Sequence, residues 1–307
     1  MPVNPLDVEL LEALTPEAER LMERHLSTTK EWFPHELVPY SQARDFEPGE
    51  EWAPDDEKIP PAVRSALFVN LLTEDNLPYY FRDIERMFGR DAVWGEWVKR
   101  WTAEEGRHSI VIRDYLTVTR AIDPVELERA RMMQVSKGEV PEPATAAEGM
   151  AYVALQELAT RIAHFNTGEM LEDGHGQKVM KRVAADENFH YLFYRDLVTA
   201  AIAVDPSAMV IAIEAQVRDF EMPGTGIPGF SEHAKAIAKA GIYDMQIHHE
   251  KILAPVVLRH WAIESLEGLT PEAEQAREAL LHRIERMGRI AAKVAERSAR
   301  NAHLVSA

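Results

Sequence analysis

Two stretches far apart in the chain set a glutamate and a histidine three residues apart: AEEGRHSI around Glu105 and His108, and ADENFHYL around Glu187 and His190. Each pair interrupts an apolar stripe. At helical spacing the first stripe runs Trp94, Val98, Trp101, Glu105, His108, Ile112, Tyr115, and the second Met180, Val183, Glu187, His190, Tyr194, Leu197. Lys99, Glu104 and Arg113 fall off the first stripe and read as solvated. Burying a lone carboxylate is costly unless charge or hydrogen-bond donors meet it, and a metal ion does so directly.

The spacing alone is weak. With 36 glutamates and 12 histidines in 307 residues, chance supplies one or two such pairs. A third, Glu172 and His175 in EDGHGQ, sits beside two glycines and reads as a loop. What strengthens the other two is a glutamate upstream of each. Glu74, in LLTEDNLPYYF, precedes Glu105 by 31 residues, and Glu157, in YVALQELATRIAHF, precedes Glu187 by 30. Both lie on apolar seams: Leu67, Leu71, Glu74, Phe81, and Met150, Val153, Glu157, Thr160, His164.

The order Glu … Glu-x-x-His therefore occurs twice, the copies offset by 83 and 82 residues. One Glu from each of two helices and a Glu-x-x-His from each of two others is the inward-facing ligand set of ferritin-like di-metal carboxylate bundles. Four carboxylates and two imidazoles neutralise two divalent cations and leave coordination sites for dioxygen. The competing reading is a set of core side chains satisfied by hydrogen bonds.

Composition narrows the chemistry. There are no cysteines, which removes disulfides, thiol nucleophiles and thiolate metal sites. A metal must then use carboxylate, imidazole or water, as iron, manganese or zinc does. A net charge of −17 argues against nucleic acid, whose phosphates need a basic footprint. No apolar run reaches membrane-spanning length and MPVNPLDVELLEAL lacks the pattern of a signal peptide, so a cytoplasmic protein is expected.

Helix signals dominate. Thr15-Pro16-Glu17, Thr270-Pro271-Glu272, Asp123-Pro124 and Asp205-Pro206 read as helix starts, and no alternating strand pattern stands out. Helices are expected over 5–30, 63–88, 91–119, 124–136, 146–170, 176–203, 206–221, 231–264 (broken near Gly241) and 271–303. Residues 39–61 form a long acidic, proline-rich loop. The expected fold is all-α: one domain over 1–307 with an N-terminal helix in 1–30, a ferritin-like four-helix core within about 63–203 and surrounding C-terminal helices over about 206–303.

The segments WTAEEGRH, TEDNLPYY, QELATRIAHFNT, ADENFH and EWFPHELVP resemble the soluble acyl-[acyl-carrier-protein] desaturases, over roughly residues 20–260. The resemblance implies a di-iron centre on Glu74, Glu105, His108, Glu157, Glu187 and His190, with manganese or zinc as substitutes in a purified protein. It implies electrons from ferredoxin, dioxygen as oxidant, and a cis double bond cut into a saturated chain on acyl-carrier protein. Thr160 falls where the family has a threonine on the oxygen side, and Trp32, Asp186 and His108 match an electron route to the iron. A homodimer is implied as well. Two positions depart from the family pattern: Gly106, where an asparagine is usual, and Asn188-Phe189, where Lys-Arg is usual.

An acyl chain needs an apolar channel, for which Tyr79, Phe81, Met87, Trp101, Ile112, Tyr115, Leu116 and Phe193 are candidate linings. An acidic carrier protein needs a local cationic face. Two stripes qualify: Arg82, Arg86 and Arg90, on the helix expected to carry Glu74 and preferred for that reason, and Arg286, Arg289, Lys293, Arg297 and Arg300. Another di-iron oxidase or oxygenase, iron storage, or an inactive metal-binding relative are the alternatives.

Overall fold

A computed structural model describes residues 5–53, 59–222, 224 and 226–305. Among these residues the regular structure is helical: α1 Pro5–Thr28, α2 Pro61–Glu74, α3 Leu77–Phe88, α4 Ala92–Val118, α5 Pro124–Lys137, α6 Ala146–Glu169, α7 Gly174–Val204, α8 Pro206–Arg218, α9 Phe230–Lys239, α10 Met245–His248 and α11 Pro271–Val305. The chain after α10 winds on as a wide π-helix, His249–His260. No helix among the described residues is long and apolar enough to cross a membrane.

Capping chemistry fixes several starts. Asp123, Asp173 and Asp205 accept backbone N–H bonds from Val125, His175 and Gly176, and Ala208, and Thr145 does so from Glu148. Thr270 behaves likewise, its Oγ1 accepting from Ala273 N at 3.3 Å. Thr15-Pro16 does not start a helix, because α1 runs through Pro16 and the Thr15 hydroxyl donates back to Leu11 O at 2.9 Å. The break at Gly241 is present, with φ +75°.

The expected helix 63–88 is two. Asp75 and Asn76 drop to ψ −7° and −3°, and Pro78, which lacks the N–H that a continuous helix needs, stands in the first turn of α3. Glu74 is thus the last residue of α2, and the Arg82 stripe belongs to a different helix. Arg90 lies beyond α3 altogether.

Helices α2, α4, α7 and α6 pack in a closed ring, each against the next. Helix α1 crosses α4 and α7, α3 covers α4 and α6, α8 lies on α6 and α7, α9 on α2, and α11 forms an outer layer on α8 and the 245–260 segment. Val98, Trp101, Val153 and Leu197 belong to the apolar core at one end of the ring, and Leu67, Ile112, Met180 and Val183 to that at the other.

Candidate metal centre

The four ring helices each turn an acid inward. Glu74 comes from α2, Glu105 and His108 from α4, Glu157 from α6, Glu187 and His190 from α7, and all six are buried. Their donor atoms form two groups. Glu74, Glu105, His108 and Glu187 lie within 4.8 Å of one another, and so do Glu105, Glu157, Glu187 and His190. Glu105 and Glu187 are common to both, the position of bridging carboxylates. A small space of about 10 Å³ is lined by the four glutamates together with Thr73, Trp101 and Thr160.

The histidines face the centre through Nδ1. His108 Nδ1 is 3.1 Å from Glu105, 3.3 Å from Glu187 and 3.7 Å from Glu74. His190 Nδ1 is 2.7 Å from Glu105 Oε1 and 3.6 Å from Glu157 Oε2, yet none of these three buried atoms has a hydrogen-bond partner. Donor atoms that crowd together without bonding one another fit a shared cation between them. An oxygen-rich set with two imidazoles suits iron or manganese.

The electrostatics agree. Burial pushes Glu157 well above the usual carboxylate range, helped by the Glu187 charge and a hydrogen bond shared with it. Glu105 is raised by burial and by Glu187. Burial opposes charge on His108 and His190, but Glu105 and the surrounding carboxylates hold both well above the ordinary imidazole value. A cation entering this site would displace protons.

Behind each inward imidazole stands a second carboxylate. Asp186 Oδ2 lies 3.4 Å from His108 Nε2 and accepts from Trp32 Nε1 at 2.7 Å. Arg182 and Arg107 hold the same carboxylate. On the other side Glu104 Oε2 lies 3.1 Å from His190 Nε2 and 2.9 Å from His25 Nε2. Glu104 is buried, contrary to its expected place on a solvated face, because α1 covers that side of α4. In each case the outer carboxylate fixes which imidazole nitrogen turns inward.

Thr160 Oγ1 is within donating distance of Glu187 Oε2, at 3.2 Å, and of two backbone carbonyls of its own helix that compete for the same proton. Trp101, expected in the channel, instead donates to Glu157 Oε1 at 3.0 Å. His164 Nε2 is 3.0 Å from Glu74 Oε1. Burial pushes the Glu74 carboxyl up, and the hydrogen bonds and charges of His108 and His164 outweigh it, leaving it below the usual range. The signal for His164 was its place on the Glu157–Thr160 seam; nothing local marked His25 or Glu104. Glu172 and His175 stay outside both groups.

A cavity of about 500 Å³ adjoins the centre, sharing Thr73 and Thr160 with it. Its walls come from α2, α6, the end of α8, residues 220–248 and α11. None of the eight expected channel residues lines it. Ile112, Tyr115 and Leu116 are core, Phe193 stacks on Trp97, and Met87 packs against Gly149. Helical periodicity tells which faces are buried, not which buried faces leave space between them.

The preferred arginine stripe is neutralised. Arg82 pairs with Asp83 at 2.9 Å and Glu142 at 3.1 Å, Arg86 approaches the same two acids, and Arg90 pairs with Glu85 at 2.8 Å. On α11, Arg289 pairs with Glu285, whereas Arg286, Lys293 and Arg297 are exposed. The Arg300 side chain lies outside the described residues.

A family model described as fatty acid desaturase matches residues 6–306. The chain is 41% identical over 284 residues to the acyl-[acyl-carrier-protein] desaturase DesA1 of Mycobacterium tuberculosis, covering 89% of this chain and 84% of that one. It is 30% identical over 311 residues to the chloroplastic acyl-[acyl-carrier-protein] desaturase 7 of rice (Oryza sativa), covering 92% and 76%. The X-ray structure of DesA2 from M. tuberculosis H37Rv superposes with a TM-score of 0.69 at 27% identity, over 87% of this chain and 99% of that one. With the repeated Glu … Glu-x-x-His order, the helical ring and these likenesses in agreement, the chain belongs to the fatty acid desaturase family, among the acyl-[acyl-carrier-protein] desaturases, and is an oxidoreductase of ferritin-like fold.

Proposed function

We propose that the protein, a cytoplasmic homodimer, removes two hydrogens from neighbouring methylenes of a saturated acyl chain held as a thioester on acyl-carrier protein. The product is a cis alkene. One dioxygen takes those two hydrogens together with two electrons, passed from ferredoxin, and two protons, leaving two waters. The observation that carries this reading is the junction of a carboxylate–imidazole centre with an apolar cavity of about 500 Å³ at Thr73 and Thr160. An iron-storage protein has no use for such a cavity.

Glu74 and His108 would hold one iron ion, Glu157 and His190 the other, with Glu105 and Glu187 between them. Bound there, the pair supplies the dioxygen chemistry needed to break an unactivated C–H bond. The protein supplies the rest. The cavity walls exclude water and hold the chain extended beside the centre. Thr160 keeps a hydroxyl at the edge shared by cavity and centre, bonded to Glu187 and free to turn toward an oxygen. Trp32 and Asp186 connect the His108 imidazole to the N-terminal loop, a route for electrons from outside the bundle. For the acidic carrier, α11 is the better dock, since its cations are exposed while those at Arg82, Arg86 and Arg90 face carboxylates.

The test is the iron-loaded enzyme with ferredoxin, its reductase, NADPH, dioxygen and palmitoyl- or stearoyl-carrier protein, followed by mass spectrometry. A product lighter by two hydrogens is expected. A hydroxylated or shortened chain would assign an oxygenase or aldehyde-forming reaction to the same bundle instead.

A further inference from the structure

The cavity beside the centre has a half-buried charged wall residue whose Nε nothing among the described residues satisfies. Arg283 of α11 lines it next to Met287. Its Nε is buried with no hydrogen-bond partner, and among the described residues the guanidinium makes no ion pair. The other charged lining groups are engaged. Arg218 pairs with Glu214 at 2.5 Å and Asp219 at 3.1 Å. Asp244 accepts from Ile247 N at 2.8 Å, and Glu221 is not free.

Leaving a buried donor unpaired is costly, and a rigid guanidinium fork matches the oxygens of a phosphate or carboxylate. A ligand filling this cavity meets Thr160 and His164, beside the carboxylates, on one side. On another it meets Arg283, which enters from the outer layer formed by α11. An amphiphile with an apolar tail and an anionic head fits both.

We propose that Arg283 is the subsite for the phosphodiester of a pantetheine-type arm, gripping the head of the acyl substrate while the tail lies along the centre. The proposal rests on the acyl-carrier reading and adds the group that recognises the linkage. A free fatty carboxylate would need Arg283 alone. From Arg283, however, Arg286, Lys293 and Arg297 continue on one side of α11, over about 20 Å at 1.5 Å per residue. That run of exposed cations suits the acidic protein from which a pantetheine arm extends.

The test measures binding to the full-length protein of palmitoyl-pantetheine, palmitoyl-phosphopantetheine and palmitate, for wild type, Arg283→Met and Arg283→Lys. Wild type is expected to prefer the phosphorylated thioester by about tenfold or more. Arg283→Met should erase that preference with palmitoyl-pantetheine binding unchanged, and Arg283→Lys should restore part of it. Equal affinity of wild type for the two thioesters overturns the proposal, as does an equal loss of both in Arg283→Met. Palmitate binding as tightly as the phosphorylated thioester, and through Arg283, would reassign the residue to a carboxylate and overturn it too. These readouts need no turnover. An enzyme that desaturates both thioesters with the same KM keeps its desaturase function and loses only this subsite.

Discussion

Asp186 Oδ2 accepts from the indole of Trp32 at 2.7 Å and faces Nε2 of His108 at 3.4 Å. One carboxylate thus joins an N-terminal loop to an imidazole whose other nitrogen points into the centre. Trp32→Phe removes the donor but not the ligand, so metal content should persist while electron-limited turnover slows. Asp186→Asn unsettles the imidazole itself and is expected to weaken metal affinity by about 10–100-fold. Metal analysis beside single-turnover and steady-state rates separates the two. Equal metal loss in both would remove the distinction.

The sharing of Glu105 and Glu187 between the two donor groups predicts unequal stoichiometry. Glu105→Ala should leave neither ion tightly held, whereas Glu74→Ala should lose one first. Titration of the metal-free protein with ferrous or manganous ion reads this directly. In weak buffer the wild type should release protons as it loads, because burial and the neighbouring carboxylates raise the proton affinity of His108, His190 and Glu157 in the cation-free centre.

Thr160→Val preserves shape and deletes the hydroxyl that bonds Glu187. Metal content is expected to stay at wild-type level, while the yield of alkene per dioxygen consumed falls. Unchanged coupling of oxygen to product would leave Thr160 with a packing role only.

His248 lines the cavity, accepts the Tyr243 hydroxyl at Nδ1, and is pushed down to about 4 by burial and by the neighbouring His249. The unfolded chain binds this proton near 6.5, so between 6.5 and 4 it holds more protons than the folded one. Stability should fall as pH drops through that window, with this residue contributing on the order of 3 kcal/mol of the loss. His248→Gln should flatten that part of the curve in urea titrations at stepped pH. A parallel curve would mean the imidazole is charged in the folded protein.

Gly106 departs from the family pattern inside α4. A Cβ there would meet only Leu77 Cδ2, at 3.9 Å, so nothing demands a glycine. Gly106→Ala should stabilise the fold by about 0.5–1 kcal/mol, read as a higher urea midpoint.

The six clustered side chains were legible in the chain because a metal-type site is demanding locally. A carboxylate and an imidazole must share one helix face, and an acid on an otherwise apolar stripe advertises a partner. Fold class followed from the same period, along with the capping residues that start α5, α8 and α11. The break at Asp75-Asn76 was harder to see, since the apolar pattern runs on through Pro78.

The rest belongs to contacts between segments distant in sequence. Glu104 sits one position off the seam and looks solvated until α1 folds over it and brings His25 79 residues away into hydrogen-bond range. Arg82 and Arg86 look cationic until Glu142 packs beside them. The cavity is formed where α2, α6, α9 and α11 fail to close on one another. Periodicity selects the face a helix buries, but which face it meets, and how much space the meeting leaves, depends on side chains of both partners at once.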